Sequence, residues 1–270
     1  MSDIKLIAID IDGTLLNEQN ILAQETIDAV TEARNNGIKV VLCTGRPLTG
    51  VKPYLKALGI SGHDEYAITF NGAQVQDADA NIIEKFDLDH KDFVELEKIS
   101  HELNTNFQIE TTDFIYTTNR DISPYSVMES YLVNMPIKVR TPEEITEDME
   151  IVKAMLIADP DIVAKAIPAV PERFLDHLSM VRSEPVFIEF MNQKASKGAA
   201  LSKLATRLGF TADNVMAIGD QGNDISMVTY AGLGVAMGNA ADDLKTVANK
   251  ETKTNKENGV AYAIRNFALK

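Results

Sequence analysis

The sequence predicts an α/β protein: a parallel sheet with crossover helices, interrupted by a separate α+β unit. Short apolar runs, each ended by turn or polar residues, alternate with amphipathic stretches at both ends of the chain. Between them, over residues 82–190, the strands become mixed and alternating, as in an antiparallel sheet with one solvated face. The expected division is a core of residues 1–81 and 191–270 with residues 82–190 inserted into it. At 270 residues, each part is long enough for a hydrophobic core of its own.

Leu6–Ile9 reads as a strand buried on both faces, stopped by Asp10, Asp12, Gly13 and Thr14. Gln24–Asn35 carries Ile27, Val30 and Ala33 at helical spacing and ends in Asn36-Gly37, a left-handed cap. A second strand over 38–43 runs into Thr44-Gly45-Arg46-Pro47, where proline fits the start of a helix through Val51 and Leu58. A third, over 67–70, closes in the turn signal Asn71-Gly72. The insert offers strands at 82–88, 106–118, 136–141, 151–158, 177–183 and 186–191, and a helix over 93–103. Alternation resumes with a helix over 196–208 stopped by Gly209, a strand over 214–218 ending in Gly219-Asp220, a short helix over 225–231 and a strand over 233–237.

The charge balance excludes some partners. There are 26 lysines and arginines against 40 acids, a net charge of −14, which argues against nucleic acid and against an anionic membrane surface. The first apolar run is too short for a signal peptide, and no stretch approaches the roughly 20 apolar residues of a membrane helix. The single cysteine, Cys43, lies in an apolar run and reads as a packing residue, so a reduced, cytoplasmic setting is expected. No pattern sets an oligomeric state.

Three buried strands end in polar clusters: Asp10/Asp12, Thr44/Gly45/Arg46, and residues 219–224, Gly-Asp-Gln-Gly-Asn-Asp. In a parallel sheet these ends share one edge, where open α/β sheets bind ligands. One carboxylate can attack phosphorus and form an aspartyl phosphate, while a second handles the proton of the leaving group. Such a site needs a cation, and magnesium takes one or two carboxylates together with waters and phosphate oxygens; Asp10, Asp12 and Asp220 meet that demand. Thr44-Gly45 at a helix start would cradle a phosphate, and Lys197, placed against the dipole at a helix start, would pair with carboxylate or phosphate. Taken singly, each has a bland reading: a solvated strand end, a helix cap, a turn at Asn71-Gly72, an exposed lysine. The stretch from Gly45 to Gly50 is no P-loop, and Gly232-Leu233-Gly234 lacks the third glycine of a dinucleotide fingerprint.

Together, Asp10-Ile11-Asp12-Gly13-Thr14, Thr44-Gly45-Arg46, Lys197 and residues 219–224 resemble the four motifs of the haloacid dehalogenase-like (HAD) phosphatase superfamily. Residues 68–75, 234–240 and 258–264 are similar to further signatures of its Cof-type branch, and residues 117–123 to the YidA-type sugar phosphatases within it. The resemblance covers nearly the whole chain. It implies a Rossmann-like core with a type-two cap between the second and third motifs, large enough to cover a small substrate. It implies Asp10 as nucleophile and Asp12 as general acid, then base. Magnesium would be held by the Asp10 carboxylate, the Asp12 backbone carbonyl and the Asp220 carboxylate. Thr44, Gly45, Lys197, Asn223 and the Ile11 N–H would bind the phosphoryl group, with Asp224 orienting Lys197 or metal-bound waters. The expected substrate is a small phosphorylated metabolite, sugar phosphates first. Candidate substrate contacts are Arg46, Asn71, Gly72 and Arg120, with Asp121 and Tyr125 further along the same polar loop. A sugar-phosphate mutase or phosphotransferase on the same core, and a receiver-like phospho-acceptor module, are the alternative readings. Asn258 departs from the branch, which usually has aspartate before that glycine.

Overall fold

The structure is a computed structural model that describes residues 3–269. It divides into two units, one formed by residues up to Lys85 together with those from Ser196 onward, the other by Phe86–Ala195.

The first unit opens with β1 (Leu6–Ile9), α1 (Gln24–Asn35), β2 (Lys39–Cys43), α2 (Leu48–Ala57), β3 (Tyr66–Thr69), β4 (Gln74–Asp77) and β5 (Ile82–Lys85). The second contains α3 (His90–Glu102), β6 (Asn106–Glu110), β7 (Ile115–Thr117), α4 (Pro124–Val133), β8 (Ile137–Val139), β9 (Lys153–Ile157), α5 (Pro160–Ala166), β10 (Leu178–Glu184) and β11 (Phe187–Asn192). The chain then returns to the first unit with α6 (Lys197–Arg207), β12 (Val215–Gly219), α7 (Ile225–Tyr230), β13 (Leu233–Ala236), α8 (Asp242–Val247), β14 (Lys250–Glu251) and α9 (Gly259–Ala263).

The first unit's sheet runs β14-β13-β12-β1-β2-β3-β4-β5. Its first six strands are parallel, and β4 and β5 are antiparallel additions through the turn at 70–72. Leu6, Ile7, Ala8 and Ile9 are all buried because helices cover both faces of a parallel sheet. Register puts Ile9 beside Leu42 on one side and Ile218 on the other, so the three polar strand ends emerge side by side.

The boundary differs from the sequence expectation by a few residues at each end. Ile82–Lys85 pairs with β4, so it extends the core sheet rather than opening the insert. Met191 and Asn192 pair with Ser179 and Leu178, which keeps them in the second unit.

The second unit has a six-stranded sheet, β10-β11-β9-β6-β7-β8, antiparallel except for β7 with β8. Phe107, Ile109, Ala154, Leu156, Ile188 and Phe190 face α3 and α5 in its main core. The expected solvated face is corrected. Gln108, Glu110, Lys153, Met155 and Glu189 point the other way and are also buried. Part of the cover is α4, whose Tyr125 packs against Met155, Ile157, Val186 and Phe187.

Candidate active site

The site is built on the shared edge of β1, β2 and β12. After β1 the chain turns at once: Leu15 N donates to Asp10 O (3.1 Å) and Leu16 N to Ile11 O (3.0 Å). Gly13 makes this turn with φ +80°, and a Cβ there would lie 2.3 Å from Asp220 Oδ2. Only glycine combines that backbone with that approach.

Asp10, Asp220 and Asp224 are buried and bring carboxylate oxygens within 4.8 Å of one another. Lys197, the first residue of α6, reaches into this group; its Nζ lies 2.6 Å from Asp10 Oδ1 and 2.6 Å from Asp224 Oδ1. Its side chain is 0% exposed. Ser196 caps α6 by accepting from Ala199 N (3.1 Å), so the helix start is satisfied without the lysine. Burial disfavours the lysine's charge, but Asp10 and Asp224 outweigh it and hold the ammonium well above its ordinary pKa. Burial and the charge of Asp224 push the Asp10 carboxyl up, against the pull of Lys197. Asp220 is raised in the same sense by burial, with the Thr14 hydroxyl opposing.

The three acids are not equivalent. Asp224 Oδ2 accepts from Asp220 N (2.9 Å) and Gln221 N (3.0 Å), so with Lys197 on Oδ1 both of its oxygens serve the loop and the lysine. Asp220 Oδ1 accepts from Thr14 Oγ1 (2.8 Å) and Oδ2 from Gln221 Nε2 (3.1 Å). A divalent cation fits this donor set. Three buried carboxylates against one ammonium leave negative charge that a further cation would offset; without one, burial drives Asp10 and Asp220 toward their protonated forms. Asp10 and Asp220, bonded here by side chains where Asp224 is also bonded by the loop backbone, match the one or two carboxylates that magnesium takes.

The phosphate-binding candidates lie around this group. Thr44 is buried at the end of β2, with its N–H on Ile68 O (2.9 Å). The expectation that Thr44-Gly45 opens a helix is corrected: α2 begins at Leu48 after Pro47, and the Thr44 hydroxyl instead accepts from Arg46 N (3.1 Å). Asn223 Nδ2 donates to Asn71 Oδ1 (3.0 Å), and the Asn71 amide lies beside Gly45. Phe70 and Asn71 both have positive φ (49° and 54°), which asparagine tolerates and which costs a residue such as Phe70 roughly 1–2 kcal/mol. Gly72 follows at φ +94°, and a Cβ there would meet Ser196 O at 2.2 Å, directly beside Lys197. Ile11 is fully buried in the turn.

Other candidates are not members of the three-acid group. The Asp12 carboxylate stands outside the three-acid group, paired with Arg46. Arg120 and Asp121 belong to the second unit, lining a polar cleft of about 340 Å³ with His101, Asn106 and Asn119. Tyr125 is the second residue of α4 and donates to Asp159 Oδ1 (2.8 Å). Cys43 is buried at the end of β2, and burial pushes its thiol pKa up.

Two residues were missed by motif reading. Thr14 holds Asp220, and Asn239 Nδ2 donates to Gly13 O (2.9 Å), steadying the turn after β1. Both lie inside the quoted signatures. Their roles require knowing that residues more than 200 apart are neighbours, which sequence spacing does not give.

The sequence profile described as haloacid dehalogenase-like hydrolase matches residues 7–264. YxeH of Bacillus subtilis (strain 168) is 42% identical over 266 residues, covering 98% of each chain. The 5-amino-6-(5-phospho-D-ribitylamino)uracil phosphatase YcsE of the same organism is 37% identical over 268 residues, 99% of this chain and 97% of its own. Among solved structures, a haloacid dehalogenase-like hydrolase from Bacteroides thetaiotaomicron superposes with a TM-score of 0.88 at 29% identity, covering 97% of this chain and 98% of its own. A Rossmann-like α/β core whose strand ends gather carboxylates around one lysine defines a class of hydrolase, and this chain belongs to the haloacid dehalogenase-like hydrolase family. Among the described residues no helix is long and apolar enough to cross a membrane.

Proposed function

We propose that the protein is a magnesium-dependent phosphatase that hydrolyses phosphomonoesters of small metabolites, with the phosphate on a hydroxyl of a sugar or sugar-like chain. The observation that carries this reading is the buried group of Asp10, Asp220 and Asp224 around Lys197, at the strand-end edge that also carries Thr44, Gly45 and Asn223. Relatives support the substrate class: the YcsE substrate carries its phosphate on a ribityl chain.

In this mechanism a carboxylate oxygen of Asp10 attacks phosphorus as the bond to the substrate oxygen breaks, giving an aspartyl phosphate. Lys197 fixes the nucleophile through Oδ1 and balances charge on the transferring group. Asp12 gives its proton to the leaving oxygen, then takes one from the water that attacks phosphorus and frees Asp10. Magnesium, held by the Asp10 and Asp220 carboxylates with the Asp12 carbonyl, would offset the combined negative charge of acids and phosphate when bound. Asp224 keeps Lys197 aimed, and Thr14 does the same for Asp220. Arg120 is assigned to substrate selection in the second unit.

The test is release of phosphate from p-nitrophenyl phosphate with magnesium, followed by a panel of hexose, pentose and ribityl phosphates. Asp10→Asn is expected to reduce turnover to background; a variant that still turns over removes Asp10 as nucleophile. Chelation should silence the wild type reversibly, and full activity in excess chelator would remove the metal.

A further inference from the structure

We infer that Arg46 is a positioning residue for Asp12 and not a substrate contact: a two-pronged fork that sets the direction of the acid–base carboxylate. This rests on the phosphatase reading above and deepens it.

Asp12 has little else to hold it. It follows β1 in the exposed part of the turn, and its side chain is 52% exposed. A carboxylate so placed samples several rotamers unless a partner selects one. Arg46 is that partner. Its Nε lies 2.8 Å from Asp12 Oδ2 and its Nη2 lies 2.5 Å from Oδ1. Two parallel N–H bonds fix the plane of the carboxylate as well as its distance, which a lysine could not do.

Arg46 is itself held from every side. Its backbone N–H donates to Thr44 Oγ1 (3.1 Å), and its carbonyl accepts from Phe70 N (3.2 Å). The guanidinium stands 5.6 Å from the centre of the Tyr54 ring, and Nη1 reaches Tyr54 Oη at 3.3 Å. Tyr54 comes from α2, so the chain of support runs from a helix through an arginine held beside Tyr54 to an otherwise loose acid. The backbone bond to Thr44 also ties the fork to the phosphate cradle, which fixes the distance between the acid and the transferring phosphoryl group.

A substrate-binding arginine would present its fork to open space. Here Nε and Nη2 are spent on Asp12 and Nη1 on Tyr54. Proton transfer needs one Asp12 oxygen free, so the fork must open to a single N–H contact during the reaction while keeping the carboxylate in place. What Arg46 does is therefore worth most where the leaving oxygen needs a proton most.

The experiment compares Arg46→Ala and Arg46→Lys with wild type on an alkyl phosphate, whose leaving group requires protonation, and on p-nitrophenyl phosphate, whose leaving group does not. The expected result is a loss in kcat/KM of about 10²-fold on the alkyl phosphate for Arg46→Ala, the scale of a small misplacement of a catalytic group. The loss on the aryl phosphate should be several times smaller, and Arg46→Lys should recover part of the alkyl rate. In an Asp12→Ala background, Arg46→Ala should add nothing further. Equal losses on both substrates, or an undiminished loss on top of Asp12→Ala, overturn the positioning role and return Arg46 to the substrate or to the fold. Phosphatase failure reads differently: a wild type inactive on both phosphates overturns the underlying activity and this inference with it.

Discussion

Among the described residues, each unit buries one lysine among acids, and the two are placed to opposite ends. Lys197 stands at the first position of a helix, beside the strand-end loops of a parallel sheet, between Asp10 and Asp224 at 2.6 Å each. Lys153 opens β9 in the second unit, within an antiparallel sheet. There Glu110 lies 3.2 Å away across the strand pair, Glu189 3.3 Å away on β11, and Glu129 3.6 Å away on α4. Both lysines are buried, and in both the acids outweigh burial and keep the ammonium charged. What differs is the surroundings. The first group lies where three loops and a helix start meet, the place α/β sheets keep ligands. The second lies in the body of a sheet, where a buried ion group bears on stability and on which helix packs where.

The sharpest way to break this comparison is to remove each lysine. Lys197→Met should lower kcat on p-nitrophenyl phosphate by at least about 10²-fold, as loss of a preorganised electrostatic group does. Lys153→Met should leave turnover per folded molecule near wild type but cost about 3–5 kcal/mol of stability, because its acids lose their counter-charge. Denaturant melts alongside steady-state assays decide it. A stable but inactive Lys153→Met would give the second cluster a direct part in catalysis.

Next in size is a pH effect. Burial pushes the Glu110 carboxyl up to about 8 from an ordinary 4.5, against the pull of Lys153, while Glu129 and Glu189 push the same way as burial. The folded chain therefore keeps a proton there that the unfolded chain gives up above 4.5. This contribution to stability is full at low pH, falls as pH rises through the folded value, and is gone above it. Glu110→Gln should flatten that slope in denaturation midpoints taken from pH 5 to 9; an unchanged slope would assign it to other groups. The smallest effect is Ser183→Ala, which removes the 2.8 Å hydroxyl contact to Glu189 and should cost about 1 kcal/mol.

The same pair of clusters explains what the sequence could and could not disclose. That Asp10, Thr44 and Asp220 share one edge was legible because acids and hydroxyls that end apolar runs stand out and a parallel sheet must bring such ends together, and Lys197 stood out as a cation at a helix start. Lys153, Glu110 and Glu189 were not, because in an alternating strand a charged residue reads as the solvated face. That face is buried because α4 packs on it, and nothing local in α4 shows which sheet it will cover. Arg46 was singled out, but its partner was not: a fork onto Asp12 depends on two adjacent strand ends, 34 residues apart in the chain.

Cys43 gives the molecule a built-in gauge. It is the sole cysteine, fully buried in the first unit, with a thiol that burial keeps protonated and so unreactive. A thiol reagent added to the native protein can modify it only when β2 becomes exposed. The labelling rate therefore times the opening of the catalytic core alone, with no signal from the inserted unit and no engineered probe.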